Sequence, residues 1–197
     1  YAAYGVLRFG VDSDSIPFDG NIGVRVVRTE VGSNGVRTGT DAEGGGLIPV
    51  AAQQTYTDVL PSLNLRWMLS DQLQWRFAAS RGISRPTFDR LNPNLSLSTG
   101  TSNGASTFTG TAGNPSLEAV KADQFDTALE WYFGQGSMMY GTLFYKKVEG
   151  FIANAVFNEV YDGQVWQITR PVNGDAGKIR GAELGYTQFF LSLIHIS

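Results

Sequence analysis

An all-β chain forming part of an antiparallel transmembrane β-barrel is predicted by three observations. Amphipathic strands of roughly ten residues alternate apolar and polar side chains. Turns of only a few residues alternate with long Gly/Asn/Ser-rich connections. Aromatic side chains gather near the short turns. An outer-membrane barrel has short turns on its periplasmic side, long loops outside and aromatic girdles at the two interfaces. A soluble sandwich has no need to sort its loops by side.

The elements follow in order. Tyr1 to Val11 reads as a first strand, and Asp12 to Gly20 as a longer turn. In Ile22 to Val31, Val24 and Val26 oppose Arg25 and Thr29, with Val27 on the polar side. A long connection is expected from about Gly32 to Gln54. The cleanest alternation runs from Leu63 to Ser80. Leu63, Leu65, Trp67 and Leu69 share one face; Ser62, Asn64 and Arg66 share the other. After a turn at Ser70-Asp71, apolar Leu73, Trp75, Phe77 and Ala79 oppose Gln74, Arg76 and Ser80, the pattern of a half-buried hairpin. Pro61 cannot donate to a ladder, so a bulge or interrupted pairing is expected there.

A second long connection, Arg85 to Lys121, precedes another hairpin. Phe125, Thr127, Leu129, Trp131 and Phe133 face one way; Gln124, Asp126, Ala128 and Glu130 face the other. Gly134 to Ser137 turns the chain into Met139 to Val148, where adjacent Phe144 and Tyr145 leave open which one faces outward. The third long connection, Ala153 to Lys178, holds an additional hairpin around Val156 to Ile168. The last strand, Lys178 to Phe190, puts Ala182, Leu184 and Tyr186 opposite Glu183. Seven spanning strands are expected in all.

Composition narrows the function. Hydrophobic residues make up 42% and charged residues 17% of 197, too apolar for a disordered chain. A net charge of −3 with no basic stripe argues against nucleic acid. The absence of cysteine excludes a disulfide framework and a thiolate metal site. No apolar run approaches the roughly 18 residues of a membrane helix, a test that β-strands escape.

No catalytic constellation emerges. The single histidine, His195, is the sole candidate base. Asp126 and Glu130 lie four apart on one strand face, about 13 Å by strand rise, which suits lumen lining rather than concerted acid–base work. Gly174 to Lys178 lacks the first glycine (Val172) and the hydroxyl after lysine (Ile179) of a phosphate loop. Asp12, Asp14 and Asp19 lack calcium-loop spacing. No metal, cofactor or catalytic residue is assigned.

Several stretches resemble the barrel of TonB-dependent outer-membrane receptors. They include Gly20 to Val27, Val59 to Arg66, Arg85 to Pro93, Phe144 to Ile152 and Gly181 to Gly185. The most specific runs from Gly113-Asn114-Pro115-Ser116-Leu117-Glu118 through Asp123-Gln124-Phe125-Asp126 to Leu129-Glu130-Trp131-Tyr132-Phe133. The resemblance implies a plugged barrel of about 22 strands, of which residues 1–190 would supply about seven, with plug domain and energy-coupling box absent from this chain. It implies a bacterial outer-membrane location, contact with outer-membrane lipid, and an extracellular nutrient ligand. It further implies a TonB energy-coupling protein acting through the N-terminal region. The flavour is similar to a proteobacterial, oligosaccharide-scavenging branch. The chain alone is not expected to transport, because an open sheet would leave backbone groups unpaired in lipid.

Residues 191–197 resemble the translation of a transposase sequencing-library adaptor, which would make His195 an artefact. Two outer-loop clusters are the candidate ligand-binding residues: Phe88, Asp89, Arg90, Asn92 and Asn94, and Tyr161, Trp166 and Arg170. Both combine an aromatic platform with planar hydrogen-bonding groups, the pairing that sugar recognition uses. A passive porin, or a soluble β-sandwich adhesin or lectin, would share the alternation and stays open at this point.

Overall fold

The computed structural model describes residues 1–12, 16–38 and 46–189. Asp14 of the aspartate cluster and the whole 191–197 tail, including His195, lie outside the described residues. Among the described residues, eleven strands form one sheet. Seven are consecutive in the wall: β1 (Ala2–Val11), β2 (Phe18–Thr38), β3 (Leu47–Met68), β4 (Leu73–Ser84), β7 (Val120–Gly134), β8 (Ser137–Glu149) and β11 (Gly177–Thr187). Each pairs antiparallel with the next. These are the seven spanning strands of the sequence reading.

The other four strands sit in the long connections. β5 (Leu95–Ser102) and β6 (Ala105–Ala112) form a hairpin, as do β9 (Ile152–Tyr161) and β10 (Gln164–Asn173). The second is the additional hairpin expected around Val156 to Ile168. β6 runs parallel to β10, and β5 touches the upper end of β2. A single turn of helix, α1 (Phe88–Leu91), precedes β5.

The short turns form for local reasons. Ser70 Oγ accepts the amides of Gln72 and Leu73, at 3.3 and 3.1 Å, closing the β3–β4 turn. In the β7–β8 turn, Gly136 adopts φ +67°, a region that glycine enters without steric cost. Asn103-Gly104 and Asp162-Gly163 take positive φ at both positions, as the favoured two-residue hairpin turns require.

The register decides which side chains share a face. Phe18, Trp67, Trp75, Leu129, Gly141 and Leu184 form one transverse row on the outward side. Trp67 and Trp75 stack at 4.6 Å, Phe18 lies 6.5 Å from Trp67, and Phe133 joins Trp131 to Tyr186. The result is a belt of aromatic rings beside the short turns, as an interfacial girdle requires. From Phe133 to Phe125 the outward face of β7 stays free of charge over nine residues, whose eight rises give about 20 Å of height for a strand tilted near 40°. Above it stand Arg81, Asp123, Lys147 and Lys178, in register on the same face.

Tyr145 pairs with Phe125 and faces outward, whereas Phe144 pairs with Asp126 and faces inward. The inward aromatics cover glycines. Phe144 lies over Gly181 and Tyr140 over Gly185, with no room for a Cβ beneath either ring. The rest of the inner face is polar. Arg66 and Arg76 are register partners, and their like charges are relieved from opposite flanks. Asp19 accepts from Arg66 at 2.7 Å, and Glu130 accepts from Arg76 at 3.3 Å while also bonding Gln74 and Tyr132.

Three expectations are revised. The connection Gly32 to Gln54 is largely strand: β2 and β3 stay paired up to Thr38 and Leu47. Ser33, Asn34, Gln53 and Thr55 are polar on both faces, so hydrophobic period is silent there although the backbone ladder continues. Arg85 to Lys121 contains the β5–β6 hairpin rather than a plain loop. At Pro61 the β2–β3 ladder passes without a shift, but the β3–β4 ladder ends one residue away, at Ser62–Ser80. The interrupted pairing is thus on one side only; the β7–β8 ladder shifts register at Tyr132/Gly134.

Packing is unevenly distributed. Of the buried apolar side chains, Leu91, Leu95, Leu117, Ala119 and Ile168 all belong to the outer segments, Leu117 and Ile168 at 1% and 0% exposure. Large apolar side chains of the wall face out instead, Leu143 at 60% and Leu184 at 89%. Such a surface is stable only against another apolar medium.

Candidate ligand-binding site

The outer segments are held together by the stretch Gly113 to Lys121, which folds across the inner side of β3. Asn114 Oδ1 accepts the Ser116 amide, shaping an Asx turn, and Asn114 Nδ2 donates to the Pro171 carbonyl at 3.0 Å. Leu117 and Ile168 are the two large side chains buried almost completely in these segments. Asn173 Oδ1 accepts the Glu118 amide at 2.8 Å, while its nitrogen donates to the carbonyls of Glu118 and Gly150. The hydrogen-bond pattern orients the Gln54 amide so that its nitrogen donates to the carbonyls of Pro115 and Leu117. Lys121 places its ammonium 3.6 Å from Asp58, a buried carboxylate opposite Val27.

This frame builds a polar pocket of about 410 Å³ at the outer end of the sheet. Four of the predicted residues line it: Asp89 and Arg90 from α1, and Asn92 and Asn94 from the turn that follows. Ser96, Thr111 and Asn154 complete the polar wall, and Ala112, Gly113 and Pro171 the remainder. Asn92 Oδ1 accepts the Asn94 amide at 3.1 Å, and Asn94 Oδ1 accepts the Val36 amide at 2.7 Å, tying the pocket to the tip of β2. Gly35 is required at that junction, since a Cβ would stand 2.4 Å from Asn94 Oδ1. The Arg90 guanidinium donates to the Ile152 carbonyl at 3.4 Å. A hydrogen bond from the Thr87 hydroxyl holds the Asp89 carboxyl below the usual aspartate range, so it is ionised at neutral pH. Phe88, the remaining member, is 87% exposed and projects beside the pocket rather than into it.

The second predicted cluster is a brace. Arg170 forks onto Glu159 at 2.8 and 3.0 Å, and Tyr161 donates to the same carboxylate. Trp166 donates to the Tyr161 carbonyl and meets Phe108 edge-on at 5.1 Å. The Arg170 hydrogen bonds hold Glu159 below the ordinary glutamate range, and burial followed by Glu159 pushes Tyr161 up. Arg170 also donates to the Gly113 carbonyl at 3.3 Å. The two clusters therefore meet at Gly113. The pocket members missed by sequence reasoning, Ser96, Thr111 and Asn154, are small polar residues without distinctive spacing; the Asn103-Gly104 turn signal could have placed the first two on facing strands.

A one-sheet wall with an apolar belt outside, a polar face inside and a folded cap on one end defines a membrane-barrel receptor. The chain belongs to the TonB dependent receptor-like, beta-barrel family, whose model matches residues 1–195. Members of that family are outer-membrane transport receptors. Among solved structures, a double mutant of the ferric enterobactin receptor PfeA from Pseudomonas aeruginosa is similar at TM-score 0.61 and 16% identity, over 95% of this chain and 33% of that one. The Serratia marcescens hemophore receptor HasR, solved with its hemophore HasA and heme, matches at TM-score 0.54 and 12% identity, over 95% and 32%. The siderophore receptor PirA from Pseudomonas aeruginosa matches at TM-score 0.52 and 14% identity, over 94% and 39%. At these identities the likeness is one of fold. This chain spans about a third of those receptors' length. No curated protein matches significantly.

Proposed function

We propose that the chain contributes barrel wall and outer-loop ligand contacts to a bacterial outer-membrane receptor that takes up an extracellular nutrient with energy supplied through TonB. Family membership supports the receptor reading. The pocket supports the ligand class. Its charged members, Asp89 and Arg90, are adjacent and opposite in sign, and the rest of its polar wall is amide and hydroxyl. Such a site suits a neutral, hydroxyl-rich ligand such as an oligosaccharide, with Phe88 as a stacking platform at the rim. A multiply anionic ferric chelate would call for surplus positive charge, which this pocket lacks among the described residues.

The test is uptake and binding by the intact receptor carrying this chain. Labelled oligosaccharides should be accumulated only by cells with functional TonB. Replacing Asn92 and Asn94 by Ala should weaken binding about tenfold or more, as two lost hydrogen bonds of about 1 kcal/mol each would produce. Uptake without TonB would instead indicate a passive pore, and unchanged binding would remove the pocket from ligand recognition.

A further inference from the structure

We infer that the pocket at the outer end of the sheet selects a sugar bearing an acetamido group. The inference rests on the oligosaccharide reading proposed above and narrows it. Two of the pocket's carboxamides are not free to present either end. Asn92 Oδ1 accepts the Asn94 amide at 3.1 Å, and Asn94 Oδ1 accepts the Val36 amide at 2.7 Å. Only the oxygen can accept from a backbone N–H, so each bond fixes which end of the side chain is which. Both oxygens also crowd Gly35, where a Cβ would stand 2.4 Å from that of Asn94 and 3.0 Å from that of Asn92. Folding of the turn thus uses the accepting half of each asparagine. The Nδ2 amino groups remain, without a protein acceptor among the described residues, and a ligand meets them as donors.

The rest of the wall is complementary. The Asp89 carboxylate only accepts, and with the Thr87 hydroxyl bonded to it further lone pairs stay open. Ala112 and the buried Pro171 contribute apolar surface. A hydroxyl both donates and accepts, so either kind of neighbour satisfies it. An acetamido group is more exacting: its carbonyl needs donors, its N–H an acceptor and its methyl an apolar surface. Asn92 with Asn94, then Asp89, then Ala112 with Pro171 meet those three needs in turn. A sugar carboxylate would also satisfy the donors, but it would stand beside the negative charge of Asp89. N-acylation supplies a strong acceptor without charge. Asp89 and Asn94 are exposed, so water rehydrates unmatched groups and about two net hydrogen bonds set the preference, on the order of tenfold.

The experiment titrates the intact receptor in neutral detergent with tetra-N-acetylchitotetraose and with cellotetraose. These chains share one linkage and differ only by an acetamido group in place of one hydroxyl on each ring. The acetylated chain should bind about tenfold more tightly. Asn92→Asp combined with Asn94→Asp keeps both accepting oxygens and removes the donors, so the turn persists and the preference should vanish. Equal or tighter binding of cellotetraose by the parent would overturn the inference and leave the sugar reading intact. That comparison needs no variant, so it decides the matter even where the double variant fails to fold. A preference that survives the double replacement, or equal binding of the de-N-acetylated amine, would likewise overturn it. If TonB-dependent uptake persists and neither chain binds, the oligosaccharide reading falls and the acetamido assignment with it.

Discussion

Gly113 faces the main-chain carbonyl of Asn92 so closely that a methyl group on it would stand 2.1 Å from that oxygen. The Asn114 amide donates to the Arg90 carbonyl at 2.7 Å one residue further on, so the approach is part of a bonded junction rather than a chance contact. This junction makes the floor of the pocket. Gly113→Ala should therefore push Asn92 away and destabilise the outer cap by about 1–3 kcal/mol, the usual cost of overpacking. Ligand binding by the intact receptor and protease cleavage within 85–121 would show it; wild-type values of both would refute the junction's role.

Glu159 gives the cap a pH dependence with a defined sign. Its carboxyl titrates below the ordinary 4.5 because Arg170 hydrogen-bonds the ionised form. The folded hairpin thus binds fewer protons than the unfolded one, and the stabilisation is complete above that ordinary value. It is lost as pH falls below about 4.5 and through the lowered folded value. Protease resistance of the β9–β10 hairpin should decline in that window, and Glu159→Gln should flatten the profile.

Asn173 connects three segments that are distant in sequence. Asn173→Ala removes its bonds to Glu118 and Gly150. At about 0.5–1.5 kcal/mol for each of three bonds, with the site exposed, a cap destabilisation of about 1–3 kcal/mol is expected. Faster hydrogen exchange at the Glu118 amide, with unchanged exchange in β7 below it, is the signature; uniform acceleration would mean that the cap and wall unfold together.

Leu129 is register partner to Trp75 and Gly141, and on its own strand it stands on the outward face between Trp131 of the aromatic belt and Asp123 of the charged edge. Leu129→Arg should destabilise the inserted intact receptor by about 2–4 kcal/mol if the row lies near the bilayer midplane. A folding titration in vesicles measures this, and a neutral outcome would move the row away from hydrocarbon.

The wall was legible where physics imposes a period. Leu63 to Ser80 and Gln124 to Phe133 are wetted on one side only, so every second residue carries the signal and the register repeats it. Phe144 and Tyr145 could not be ordered from sequence, because an inward aromatic that covers Gly181 resembles an outward one. The pocket was half legible: α1 and its Asn-rich turn stood out, whereas Asn154 comes from a strand more than 60 residues away, where only tertiary pairing can bring it. Arg170 looked like a ligand group because sequence displays side-chain chemistry but hides the partner. Here Glu159, eleven residues earlier across a hairpin, occupies its fork.

The uneven burial of apolar side chains makes this a chain with two solvents. The cap buries apolar side chains of its own, Leu117 and Ile168 most completely, and is stabilised in water as any small domain is. The lower wall has no such burial and takes its apolar surroundings from the bilayer. Urea, which weakens the aqueous hydrophobic effect, should act on the first and spare the second, while bilayer thickness should do the reverse. Melting would then be two events, and a single unfolding free energy would describe neither half.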